Sequence, residues 1–128
     1  MILVDSNIII DILTDDPKWG DWSINTLESQ TSQLAINPII FSEVSIKIDK
    51  IELLNEALSP FKRLELPYEA AFLAGKAFLN YRKRSGNRSS PFPDFFIGAH
   101  AAILNMPLIT RDINRYKTYF PKLKIIHP

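Results

Sequence analysis

The sequence predicts an α/β protein in which a central, mostly parallel sheet of four to five strands lies between two layers of helices. Three observations carry that expectation. Short apolar runs rich in β-branched residues recur at Ile2–Val4, Leu34–Ile36, Leu108–Ile109 and Ile125–Ile126, a pattern suited to strands buried on both faces. Between them lie longer stretches with apolar residues at helical spacing, and such alternation calls for parallel strands with crossover helices on both sides. No repeat, low-complexity tract or linker divides the 128 residues, so one domain spanning 1–128 is expected.

Taken in order, Ile2–Val4 is the first strand and Asp5 stands where it ends. Ser6 and Asn7 offer N-cap oxygens to a short helix striped by Ile8, Ile9, Ile12 and Leu13, which Thr14-Asp15-Asp16-Pro17 stops. Asp15 or Asp16 caps the next helix, over 19–32, with Pro17 near its first turn. Trp19 and Trp22, at i and i+3, are expected to pack on the core. Leu34–Ile36 is the second strand, closed by Asn37-Pro38, and residues 39–48 are apolar enough for a buried helix holding one acid, Glu43. Asp49 is the expected cap of a helix over 51–58, Ser59-Pro60 ends it, and 61–66 reads as a short, charged edge strand.

Pro67 starts the longest helix, roughly 68–84. The Gly, Asn, Ser and Pro residues of 85–93 predict a loop. Asp94 then opens a small-residue helix that Asn105 and Pro107 stop, and Leu108–Ile109 runs into Thr110-Arg111-Asp112. A short helix over 113–119, broken by Pro121, and a final strand at Lys124-Ile125-Ile126 complete the chain.

Composition removes several function classes. Cys is absent, which excludes thiolate catalysis, disulfides and cysteine metal sites. No apolar run approaches the length of a membrane span, and no basic n-region or small-residue cleavage site follows Met1-Ile2-Leu3-Val4, so a cytoplasmic protein is expected. The net charge of +1 conceals an asymmetry: if several of the 14 carboxylates gather at one cation, the rest of the surface is basic. A modest basic excess suits an anionic partner.

In parallel α/β sheets the functional crevice lies at the carboxyl ends of the strands. Asp5 ends the first strand, Glu43 follows the second by about one helical turn, Asp94 opens the helix before the late strand, and Asp112 follows that strand. These four carboxylates are expected to converge on one edge. Like charges brought together raise one another's pKa or bind a cation. Oxygen ligands without Cys or clustered His favour Mg²⁺ or Mn²⁺, and one or two such ions suit phosphodiester hydrolysis.

Other titratable groups invite plainer readings. Asp11 is expected on the solvated face of its helix, and His100, about two turns beyond Asp94, is expected to pack rather than to catalyse. Arg82, Lys83 and Arg84, with Arg88 in the following loop, are candidates for contact with the phosphates of an anionic partner. Basic residues at a helix end also complement the helix dipole. A dehalogenase-like phosphatase would need a second Asp two residues after Asp5, where Asn7 stands. A phosphoacceptor receiver domain would need acids paired at the first strand.

Asp5-Ser6-Asn7, the isolated Glu43, Asp94-Phe95-Phe96-Ile97-Gly98-Ala99 and Leu108-Ile109-Thr110-Arg111-Asp112 together resemble a PIN domain, most like the VapC ribonuclease toxins of toxin–antitoxin systems. The match covers nearly the whole chain in order and spacing. The resemblance implies a three-layer α/β/α PIN-like fold and an endoribonuclease using Mg²⁺ or Mn²⁺, with tRNA or a structured rRNA loop as substrate. It makes Asp5, Glu43, Asp94 and Asp112 the metal-binding and catalytic acids, and Asn7 and Thr110 their supports. It further implies a homodimer and a small cognate antitoxin. Gly98, where Ala is more usual, and the bulky Phe95-Phe96 depart mildly from the pattern. The alternative is a non-catalytic PIN-like module that binds RNA or protein.

Overall fold

The computed structural model describes residues 1–85 and 92–128. Arg88 lies outside the described residues. The strands are β1 Ile2–Val4, β2 Leu34–Ile36, β3 Lys62–Arg63, β4 Leu108–Ile109 and β5 Ile125–Ile126. The helices are α1 Ser6–Leu13, α2 Gly20–Glu28, α3 Pro38–Ser45, α4 Ile51–Ala57, α5 Tyr68–Ser85, α6 Phe92–Ile103 and α7 Ile113–Tyr119. The strands form one sheet in the order β3-β2-β1-β4-β5, and every pairing is parallel. Leu3, Val4, Ile36, Leu108 and Ile109 are fully buried, as strands covered on both faces must be. The exposed Lys62 and Arg63 put the charged strand at the sheet edge.

Chain order fixes where a site can form. From β1 the chain builds outward through β2 to β3, then returns to the other side of β1 for β4 and β5. The reversal between β1 and β4 opens a crevice at their carboxyl ends. Asp5 and Thr110 are the residues that follow those two strands.

Several local features differ from the sequence expectation. The N-cap of α1 is Asp5 itself, whose side chain accepts from Ser6 N, rather than Ser6 or Asn7. Helix α2 covers only Gly20–Glu28; the Ser29 hydroxyl donates to Thr26 O, offering the backbone a local alternative to continuing the helix. Beyond α3, Ile46, Lys47 and Ile48 donate to carbonyls three residues back, so the expected last turn is present but tightened. Lys50, not Asp49, caps α4, with no side-chain hydrogen bond. Of the expected loop, Ser85 ends α5, while Phe92 and Pro93 already belong to α6; residues 86–91 are outside the described residues. Trp22 packs on the core, whereas Trp19 lies beneath the guanidinium of Arg111, 5.4 Å from the ring centroid.

The helix stops are chemically clear. Asn105 takes the left-handed conformation, φ 53°, and Met106 N donates to Ala101 O at 2.8 Å, closing α6. Asp15, φ 48°, ends α1 in the same way, with Asp16 N donating to Asp11 O at 2.9 Å. Gly98 on α6 has a packing reason: a Cβ there would lie 2.5 Å from the Phe120 ring and 3.0 Å from that of Tyr116. The missing side chain lets α7 lie against α6.

Candidate metal centre

Asp5 is both the cap of α1 and a member of the acid cluster. As the cap of α1 it accepts Ser6 N on Oδ1 at 2.8 Å. Its other oxygen, Oδ2, accepts the Thr110 hydroxyl at 2.7 Å and the Tyr116 hydroxyl at 2.9 Å. The carboxyl is only 3% exposed, so these donors fix its direction.

Glu43 reaches the same place from α3. Asn37 caps that helix by accepting Ile40 N at 2.9 Å, with Pro38 in the first turn, and Glu43 Oε1 accepts the Ser6 hydroxyl at 2.9 Å. Asp94 sits in the first turn of α6. One carboxylate oxygen from each of Asp5, Glu43 and Asp94 lies within 4.8 Å of the others.

Asp112 lies beside this group but not within it. Its side chain is 40% exposed, and its link to the cluster runs through Arg115: Nε of Arg115 is 3.3 Å from Asp112 Oδ2, while Nη1 donates to Asp94 Oδ2. Thr110 is central. Its hydroxyl donates to Asp5 and accepts from Asn7 Nδ2 at 3.4 Å and from Asp112 N at 3.1 Å, filling its capacity. Asn7 Oδ1 is buried without a partner among the described residues.

Arg82, Lys83 and Arg84 occupy the last turn of α5 and are exposed. Arg82 lies 6.0 Å from the Phe78 ring centroid and Arg84 5.7 Å from that of Tyr119.

Sequence reasoning missed Ser6, Arg115 and Tyr116. Arg115 follows Asp112 by three residues on a helix, a pairing signal visible in the sequence. Nothing local marks Tyr116, whose fully buried ring reads as core and whose hydroxyl meets an acid 111 residues away. The expectation for Asp11 is corrected: it is buried, accepts the Ser23 hydroxyl, and forms a bidentate pair with Arg111 at 2.7 and 3.0 Å. His100 is packed as expected. Because Asn37 Oδ1 is committed to Ile40 N, its Nδ2 donates to His100 Nδ1 at 3.0 Å, which puts the ring proton on Nε2.

Burial and mutual repulsion set the electrostatics. Burial pushes the Asp5 carboxyl up to about 6; the charges of Asp94 and Glu43 add to this, while the hydrogen bonds from Thr110 and Tyr116 oppose it. Glu43 and Asp94 are also raised, chiefly by burial, with Ser6 and Arg115 respectively pulling down. Burial lifts the Tyr116 phenol well above its usual value, so it remains a neutral donor. Three acids held together at a cost to their ionised forms fit a hard divalent cation through their oxygen donors.

A family model described as PIN domain matches residues 2–121. No curated protein matches the sequence. Solved structures share the fold. VapBC2 from Rickettsia felis, bound to a DNA fragment from its promoter, is 23% identical with a TM-score of 0.74, covering 100% of this chain and 99% of that chain. A toxin–antitoxin complex from Klebsiella pneumoniae is 24% identical with a TM-score of 0.73, covering 100% and 98%. VapBC-1 from nontypeable Haemophilus influenzae is 25% identical with a TM-score of 0.66, covering 99% and 98%.

Proposed function

The chain belongs to the PIN domain family, and from that premise we propose that it is a metal-dependent endoribonuclease, the toxin component of a VapBC-type toxin–antitoxin system. The observation that carries this reading is the approach of Asp5, Glu43 and Asp94 to within 4.8 Å at the crevice between β1 and β4. Mg²⁺ or Mn²⁺ would be held by those three acids, with Asp112 at the rim. When bound, such a cation supplies Lewis acidity toward water and a phosphoryl oxygen.

The chain's own residues prepare the site. Thr110 and Tyr116 hold Asp5 in one orientation, and Ser6 does the same for Glu43. Asn7 anchors Thr110 through Nδ2, and we assign it a supporting role beside the acids. Arg82, Lys83 and Arg84 supply a basic approach for RNA phosphates, with Arg88 following them in sequence. The substrate class is tRNA or structured rRNA. Toxin–antitoxin complexes among the fold relatives support a small antitoxin as partner; the proposal further includes a homodimer working in the cytoplasm. Among the described residues, no helix is long and apolar enough to cross a membrane.

The purified chain is expected to cleave tRNA or rRNA in Mn²⁺ and to stop on chelation. Asp94→Asn is expected to lower the rate roughly 100-fold or more while leaving the fold intact. RNA binding without cleavage in Mn²⁺ would instead mark a non-catalytic PIN-like module that binds RNA or protein.

A further inference from the structure

Arg115 is the cation that pairs with the acids of this crevice among the described residues, and it bridges two of them. Nη1 donates to Asp94 Oδ2, and Nε lies 3.3 Å from Asp112 Oδ2. Asp94 therefore belongs to two groupings at once. With Asp5 and Glu43 it forms the set whose oxygens lie within 4.8 Å of one another; with Asp112 it clamps a guanidinium.

Two-metal phosphodiesterases hold their ions about 3.5–4 Å apart, a spacing that a shared carboxylate can bridge. Asp94 is the acid placed to be shared here, and one of its oxygens is already taken. A planar guanidinium is permanently charged and matches carboxylate oxygens through several N–H groups, so it fills such a position without needing a free ion. Its side chain is 37% exposed against 12% for Asp94, so it closes the solvent side of the pair.

We infer that the centre is built for one divalent cation, among Asp5, Glu43 and Asp94, and that Arg115 stands between Asp94 and Asp112 in place of a second. This rests on the proposed metal-dependent reading and deepens it. The two halves of the crevice then differ in chemistry. The cation half can acidify water, whereas the arginine half contributes positive charge and direction but gives up no proton.

Isothermal titration of the full chain with Mn²⁺ tests this without reference to cleavage. Wild type and Arg115→Lys are expected to bind one ion. Arg115→Gln is expected to bind two, with a spin-coupled Mn²⁺ pair in its paramagnetic resonance spectrum, and Arg115→Gln/Asp112→Asn is expected to return to one. Two ions in the wild type, or one in a folded Arg115→Gln, would overturn the inference while leaving a metal-dependent nuclease intact. If Arg115→Gln does not fold, the wild-type and Arg115→Lys stoichiometries decide: two ions in either overturns it, and one in both sustains it. No ion bound by the wild type at millimolar Mn²⁺ would remove the metal reading itself, and this inference with it.

Discussion

The hydroxyl of Thr110 lies 2.7 Å from Oδ2 of Asp5 and joins the end of β4 to the end of β1 at the point where strand order reverses. Asn7 Nδ2 and Asp112 N both donate to the same hydroxyl, so its own proton is committed to Asp5. Thr110 is thereby the hinge-pin between the first strand, the first helix and the turn that carries Asp112.

Replacing it tests that role. Thr110→Val keeps the shape but leaves a buried carboxylate short of a donor, and should cost about 1–3 kcal/mol in denaturant unfolding. Divalent affinity should fall with it, while Thr110→Ser should retain most of both. A Thr110→Val protein as stable as wild type, with equal Mn²⁺ affinity, would refute the role.

The pH dependence of stability has a definite sign. In the cation-free protein Asp5 titrates at about 6, whereas an unfolded Asp titrates near 3.9. Between those values the folded state binds more protons than the unfolded state, so stability falls as pH rises through roughly 4 to 6. The loss at pH 7 is on the order of 3 kcal/mol, and the raised values of Glu43 and Asp94 act in the same direction. Thermal unfolding in chelator should show a lower midpoint at pH 7 than at pH 4.5. Mn²⁺ at pH 7 should restore it, because the cation binds only the folded site, and Asp5→Asn should flatten the profile. A chelated midpoint that rises across this window would count against the burial argument.

Asp11 and Arg111 form a second, non-catalytic link between α1 and the end of β4. Removing only the arginine strands a buried carboxylate. Arg111 is 30% exposed, so the full penalty of a buried pair is reduced, and Arg111→Ala is expected to cost about 2–3 kcal/mol. Asp11→Asn/Arg111→Gln should recover much of that loss. Equal stability of the single and double variants in urea titration would show that the pair is not coupled.

Gly98→Ala is expected to destabilise the protein by about 1–3 kcal/mol. The added carbon meets the rings of Phe120 and Tyr116, both buried. A lower melting temperature, together with weaker Mn²⁺ binding through the displaced Tyr116 hydroxyl, is the expected pair of outcomes. An unchanged melting temperature would mean that the rings yield freely.

What the sequence made legible follows from locality. The apolar runs that become β1, β2, β4 and β5 specify strands buried on both faces, and the acids at element boundaries follow from where those elements stop. Asp5 and Asp94 could be placed on one edge because each is tied to a strand end or a helix start, and Glu43 because it follows β2 on the helix that leaves that edge. The contacts of Tyr116 and Arg115 depend on how α7 is rotated against α6, which the small volume of Gly98 governs. Asp11 looked solvated because its partner, Arg111, lies 100 residues away. Such pairings are set by tertiary packing and leave no periodic trace in the chain.

The most direct measurement is single-turnover cleavage of RNA by the purified chain in Mn²⁺, comparing wild type with Asp5→Asn. Asn keeps the side-chain oxygen that caps α1 but removes the charge. Cleavage by wild type, abolished by chelation and lost in a folded Asp5→Asn protein, is the predicted result. Cleavage by Asp5→Asn at the wild-type rate, or by wild type in full chelation, would contradict the assignment.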